Sequence, residues 1–157
     1  MTPKDPIFDI FLSLGSNIEP EKNIGFAKHQ LQKNYGKLLI SSIYKTKAVG
    51  FMGDDFLNLV IKASTDEAPE TVIDHLHYIE RQTGRRTGTG QFNSRTLDID
   101  LLLYGDLIDS SLNIPRDEIL QYDFVLEPLV EIFPEGIHPR ENKSYKEIFI
   151  ELKTSVS

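Results

Sequence analysis

The feature that most constrains this chain is the run Arg95-Thr96-Leu97-Asp98-Ile99-Asp100 leading into Leu101-Leu102-Leu103-Tyr104-Gly105. An apolar run of this length closed by a glycine reads as a buried strand. Side chains alternate across a strand, so Asp98 and Asp100 share one face and Leu97, Ile99 and Leu101 the other. The two carboxylates then stand roughly 7 Å apart, at about 3.3 Å of rise per residue. That separation suits two hard cations about 3.5–4 Å apart, which clamp a phosphate in displacement chemistry. Buried unpaired carboxylates are expensive. The pair therefore marks either a strand end where both acids face water or a metal-holding face. Arg95 adds a fixed cation suited to phosphate.

Composition bounds the rest. The 157 residues, 39% hydrophobic and 26% charged, suit one soluble domain spanning 1–157. With no cysteine, a disulfide framework, a thiolate metal site and a thiol nucleophile are all excluded. Met1–Pro6 shows no basic region followed by an apolar one, and no apolar run reaches bilayer length. A cytoplasmic protein without a membrane partner is the expectation. The formal charge of −7 argues against nucleic acid, but not against an anionic small molecule, because bound cations invert the local charge.

In chain order, Ile7–Leu14 alternates as a first strand, broken by Gly15-Ser16-Asn17. Pro20 opens a helix whose apolar face is Ile24, Ala27 and Leu31, with Gly36 closing it. Leu38–Thr46 reads as a second strand. A loop with Phe51 and Met52 at its tip follows, either a poorly packed connection or a substrate lid. Phe56–Ala63 is a third strand, in which Asn58 lies either on the solvent face or as an amide placed to bond a flat heterocycle. A second helix runs from Ala68-Pro69 to Thr83 with Val72, Leu76 and Ile79 inward and Glu80 near its end. The basic, glycine-rich stretch 85–94 lacks the GxxxxGK[ST] spacing of a phosphate-cradling loop and by composition is a surface connection. Beyond Gly105 the spacing predicts an edge hairpin over 107–115 and a helical turn over 116–121. A helix with Pro128 near its start follows over 124–132, then a last helix over 145–152.

The string RTLDIDLLLYG resembles the signature of the 6-hydroxymethyl-7,8-dihydropterin pyrophosphokinase family of folate biosynthesis. The turn Leu14-Gly15-Ser16-Asn17, the Phe124–Ile132 run, Pro134 and His138-Pro139 resemble the same family, so the likeness covers roughly Phe11 to Pro139. It implies magnesium-dependent transfer of diphosphate from ATP to a reduced pterin, with Asp98 and Asp100 holding two Mg2+ ions. Arg85 and Arg95 would act on the phosphates. Thr46, Val49, Gly50, Phe56, Asn58, Phe92 and Phe124 would form the pterin side. Glu80, Arg85, Arg95, Leu101, Arg116 and Tyr122 would form the ATP side. The stretch 85–94 would then be the family's catalytic loop.

The element order predicts an α+β fold, a ferredoxin-like βαββαβ sandwich with an additional C-terminal hairpin and helices. Helices would cover one sheet face and leave the other for the site. ATP and a reduced pterin are the expected partners of a monomer. The chain departs from the family pattern at Arg116, where many members have His, at Tyr122, where an Arg is common, and at Phe92, where some carry Trp. Arg116 then either takes over a phosphate contact or pairs in solvent with Asp117 or Glu118. Two rival readings are a non-catalytic pterin- or nucleotide-binding relative and a metal-dependent phosphotransferase acting on a sugar or nucleoside.

Overall fold

A computed structural model describes residues 6–46, 55–83 and 97–155. The loop tip at Phe51 and Met52 and the stretch 85–94 lie outside them. The elements are β1 (Phe8–Ser16), α1 (Pro20–Tyr35), β2 (Leu39–Ile40), β3 (Tyr44–Thr46), β4 (Phe56–Thr65), α2 (Pro69–Gln82), β5 (Asp98–Tyr104), a 3-10 turn (Ser110–Leu112), α3 (Glu118–Gln121), α4 (Asp123–Ile132) and α5 (Tyr145–Ser155). Strand alternation sorts them into layers. The sheet is antiparallel throughout, in the order β2-β4-β1-β5, with β3 also on β4.

One face is apolar along its length. Ile10, Leu12 and Leu14 of β1 meet Leu59 and Ile61 of β4 and Ile99 and Leu101 of β5 under the expected stripes of α1 and α2. Each such buried side chain contributes roughly 1.5–3 kcal/mol. Gly36 ends α1 with φ 78°, a conformation that side chains with a Cβ rarely adopt. The other face is apolar over only half its length. There Phe11, Val60, Leu102 and Leu103 pack against Ile119, Val125, Leu126, Leu129, Tyr145 and Ile148. Helices therefore lie on both faces, and the C-terminal ones shelter half of the face expected to stay open.

Four local expectations change. The second strand is broken at 41–43, where Ser41 substitutes for one ladder bond by accepting the Val60 N–H on Oγ at 2.9 Å. The hairpin over 107–115 shrinks to one bridge, Asp109 to Ile114, because Asp109 caps the 3-10 turn by accepting the Ser111 N–H at 3.0 Å. Pro128 lies inside α4, where it forgoes one helical hydrogen bond and is buried instead. A bulge in β5 sets Phe11 opposite Leu103 and Leu12 opposite Leu101, so Leu102 is the extra residue. That bulge puts Leu102 and Leu103 together in the second core and returns Tyr104 to the first.

Behind α4, an aromatic stack closes the second core. Phe11 lies on Phe133 at 4.4 Å, and Phe133 and His138 flank Tyr145 at 5.8 and 5.9 Å. His138 is 2% exposed, and its Nδ1 accepts the backbone N–H groups of Arg140 and Glu141 at 3.1 and 3.2 Å. Both bonds need a neutral ring with its proton on Nε2, and burial lowers its pKa below the ordinary 6.5.

The unfolded chain then binds this proton more readily than the folded one. The stability contributed by His138 is complete above pH about 6.5 and falls as pH drops from there toward the folded pKa. His138→Asn keeps an acceptor for the two N–H groups but does not titrate. Thermal melts between pH 7.5 and 5 are expected to show a smaller acid-side loss of Tm in that variant than in the wild type. Parallel pH profiles would remove His138 as the source.

Candidate active site

Directly opposed residues on neighbouring strands share a face. The register aligns Asn58 of β4, Gly15 of β1 and Asp98 of β5 in one row, and Val60, Ser13 and Asp100 in the next. Tyr44 opposes Asn58 and Thr46 opposes Phe56. Thr46, Phe56, Asn58, Asp98 and Asp100 therefore lie on the face whose other half packs under α4. Val60 marks the join between the apolar and polar halves.

The row has a bare centre. A Cβ on Gly15 would come within 3.0 Å of Asn58 Oδ1, so glycine lets the amide lie close to the sheet. Asn58 is 7% exposed, and its Nδ2 donates to Thr46 Oγ1 at 2.9 Å, which orients the amide. The solvent-face alternative for Asn58 is not what the fold places there.

Asp98 and Asp100 are each half-buried, and the predicted common face holds. Among the described residues no group of three or more His, Asp or Glu is placed to hold a metal ion. The donor set nevertheless fits Mg2+, a hard cation held by one or two carboxylates, waters and substrate phosphates rather than by a closed protein cage. Between the two acids, the Ile99 N–H donates to Glu80 Oε2 at 2.8 Å. Glu80 is 6% exposed, so α2 fastens the acidic segment of β5 from behind.

Beside β5 lies a cleft of about 260 Å3, walled by Ile73, Leu76 and His77 of α2, by Ile99 and Leu101, and by Ser111 and Leu112, with Asp100 and Arg116 adding charge. Arg116 Nε donates to Glu118 Oε2 at 2.6 Å, and Nη1 stands 3.8 Å from Asp100 Oδ1. The Glu118 pairing is thus present, but the guanidinium is turned toward the acidic pair.

Of the expected ATP-side residues, Leu101 and Arg116 line this cleft, whereas Glu80 and Tyr122 do not. Tyr122 stacks on Phe124 at 5.0 Å at the start of α4. Arg85, Arg95, Val49, Gly50 and Phe92 lie outside the described residues. Sequence reasoning missed His77, Ser111 and Leu112. His77 precedes Glu80 by three positions, on a neighbouring helical row that could have flagged it. The other two sit on a 3-10 turn that leaves no periodic signal.

An antiparallel sheet with helices, an acidic pair and a guanidinium beside a half-apolar cleft suit an enzyme that handles a nucleotide. The chain belongs to the 7,8-dihydro-6-hydroxymethylpterin-pyrophosphokinase family, whose profile matches residues 11–134. It is 34% identical over 142 residues to a 2-amino-4-hydroxy-6-hydroxymethyldihydropteridine pyrophosphokinase of Aquifex aeolicus, covering 88% of each chain. The enzyme of the same name from Porphyromonas gingivalis is 33% identical over 138 residues, covering 83% of this chain and 93% of that one. The fold also matches wild-type Plasmodium falciparum HPPK-DHPS solved with pterin and p-hydroxybenzoate, with a TM-score of 0.78 and 14% identity. That match covers 98% of this chain and 44% of the larger one, and at such identity it concerns fold alone.

Glu80→Ala removes the acceptor of a buried backbone N–H, a loss of about 1–3 kcal/mol. Urea unfolding is expected to show a lower midpoint with an unchanged slope. A loss below about 0.5 kcal/mol would mean that Glu80 does not anchor β5.

Proposed function

We propose that this chain transfers diphosphate from ATP to the hydroxymethyl oxygen of 6-hydroxymethyl-7,8-dihydropterin, giving the pterin diphosphate and AMP in folate biosynthesis. The observation that carries the reading is the row Asn58–Gly15–Asp98. It sets an oriented amide across a bare glycine from the acidic pair, roughly 10 Å away by strand spacing. That span suits a flat bicyclic ring whose hydroxymethyl arm points at the carboxylates. Asn58 reads the ring edge, and Thr46, Phe56 and Phe124 contribute to the same side, with Val49, Gly50 and Phe92 assigned there by family resemblance. The cleft behind Asp100 takes the adenosine, with Leu101 on its wall.

The hydroxyl oxygen attacks the β-phosphorus, the bond to the α,β-bridging oxygen breaks, and AMP leaves. Such transfer asks the protein for position and charge neutralisation more than for covalent chemistry. Asp98 and Asp100 are the residues to hold two Mg2+ ions, which when bound neutralise phosphate charge and acidify the attacking hydroxyl. Arg116 adds positive charge at the polar side of the cleft, and Arg85 and Arg95 are assigned to phosphate oxygens by the family pattern. Glu80 serves the ATP side by fixing β5, and Tyr122, assigned to the ATP side by family resemblance, stacks on Phe124.

Counting β2 and β3 as one broken strand, the order supports a ferredoxin-like arrangement within the α+β class. A cytoplasmic monomer without nucleic-acid or membrane partners completes the proposal. No described helix is long and apolar enough to cross a membrane.

An assay with ATP, Mg2+ and 6-hydroxymethyl-7,8-dihydropterin should yield AMP and pterin diphosphate in equal amounts. Release of ADP, or turnover independent of the pterin, would overturn the reading. Binding of both ligands without AMP would mark a non-catalytic relative.

Asp98→Ala and Asp100→Ala should each lower kcat/KM at least about 10³-fold, roughly 4 kcal/mol, while circular dichroism stays native. Activity within a few-fold of wild type in either variant would end the acidic-pair mechanism. Arg116→Ala should raise the KM for ATP about tenfold, roughly 1.4 kcal/mol, with little change in pterin affinity. An unchanged KM would confine Arg116 to pairing with Glu118 and Asp100.

A further inference from the structure

On the exposed side of α4, Glu131 makes a set of contacts that neither the acidic pair nor the cleft explains. Its two oxygens accept the Ser42 N–H at 3.1 and 3.0 Å, one of them also accepts Ser42 Oγ at 2.9 Å, and the other accepts the Tyr44 hydroxyl at 2.7 Å. The Ser42 N–H is available because the strand is broken between β2 and β3. A glutamate in the last turn of a helix also works against the helix dipole. The donors gathered on it offset that cost.

The contacts bear on the site through β3. This strand has three residues and, among the described residues, pairs only with β4, through Tyr44 to Asn58, Lys45 to Leu57 and Thr46 to Phe56. Tyr44 and Thr46 are two apart and so share a face. Thr46 is the acceptor that orients the Asn58 amide. A short strand held by so few pairings takes its position largely from what grips it elsewhere, and α4 grips it through Tyr44 and Ser42.

We propose that Glu131 is a positioning residue for the pterin side of the site, latching α4 to the β2–β3 junction and thereby placing the Thr46–Asn58 pair. The inference rests on the pyrophosphokinase reading above. The ionisation of the groups agrees with the geometry. The hydrogen bond from Tyr44, with further help from Ser42, holds the Glu131 carboxyl below its usual range. Burial, then the bond to Glu131, pushes the Tyr44 hydroxyl up to about 12, so it stays a donor at any working pH. Because α4 also carries Phe124, the latch joins the helix bearing that proposed pterin-side residue to the strand that orients the amide.

The test is titration of the full chain with 6-hydroxymethyl-7,8-dihydropterin in the presence of Mg2+ and α,β-methylene-ATP, which blocks transfer. Glu131→Gln should raise the pterin Kd about tenfold while the Kd for the ATP analogue stays within about twofold. In turnover it should raise the KM for pterin more than it lowers kcat. Tyr44→Phe should raise the pterin Kd about threefold, and the double variant should be no weaker than Glu131→Gln alone. Hydrogen exchange at the Ser42 amide should be slow in the wild type and fast in Glu131→Gln.

A pterin Kd within twofold of wild type in Glu131→Gln, or equal weakening of both ligands, overturns the latch and leaves the proposed activity standing. If Glu131→Gln does not fold, an unchanged pterin Kd in Tyr44→Phe overturns it equally. A wild-type chain that binds no pterin overturns the activity and the latch together.

Discussion

The structure depends on the antiparallel register of β1 between β4 and β5. With a side-chain period of two, that register decides in one stroke which residues build the core and which build the site. Ile10, Leu12 and Leu14 face α1 and α2 with their partners on both neighbours, and Gly15 faces the other way between Asn58 and Asp98. A slip of β1 by one residue would carry Leu12 and Leu14 onto the site face and Ser13 into the core. The core thus enforces the position of the polar row at no separate cost. The row adds its own demand, since an amide as buried as Asn58 needs a partner, and Thr46 supplies it.

Its outermost member is β5, which forms one edge of the sheet, opposite the edge made by β2 and β3. It is held by means other than a second ladder. Glu80 takes the Ile99 N–H between the two aspartates, so the acidic segment is tied to α2 through a buried hydrogen bond. Farther along, the bulge at Leu102 shifts the alternation by one residue. Without it Tyr104 would fall on the face of Asp98 and Asp100. With it, the Tyr104 hydroxyl reaches the Glu67 carbonyl instead. The strand thus presents carboxylates to one face at its start and an aromatic ring to the other at its end.

How much of this was legible follows from the same physics. Both long helices and the common face of Asp98 and Asp100 could be read because apolar and polar residues alternate there at an unmistakable period. The bulge could not, since in Leu101-Leu102-Leu103 every register looks alike. The break in the second strand turns on Ser41 replacing a backbone ladder bond, and serine is equally at home on a strand surface. Glu80 could be read as close to the site, but not as a ligand of the strand's own backbone, because its partner is a main-chain group with no signature. The far wall of the cleft depends on the turn that Asp109 caps, and the periodic pattern of a hairpin masked it.

The two contacts of Arg116 differ in strength. The bond to Glu118 is short and made through Nε, with a second guanidinium nitrogen on the same oxygen, so it fixes the plane of the group. The approach to Asp100 is 3.8 Å to a side chain that is 41% exposed. Opposite charges at that distance gain roughly 1 kcal/mol in bulk water and about 4 kcal/mol near a protein surface, and side-chain entropy and screening bring a pair this exposed toward the lower figure. The contact with Asp100 is therefore the weaker of the two, and the bond to Glu118 is what keeps the guanidinium beside the cleft. In a chain with tyrosine at 122, that retention leaves positive charge beside the acidic pair without a lasting claim on either carboxylate.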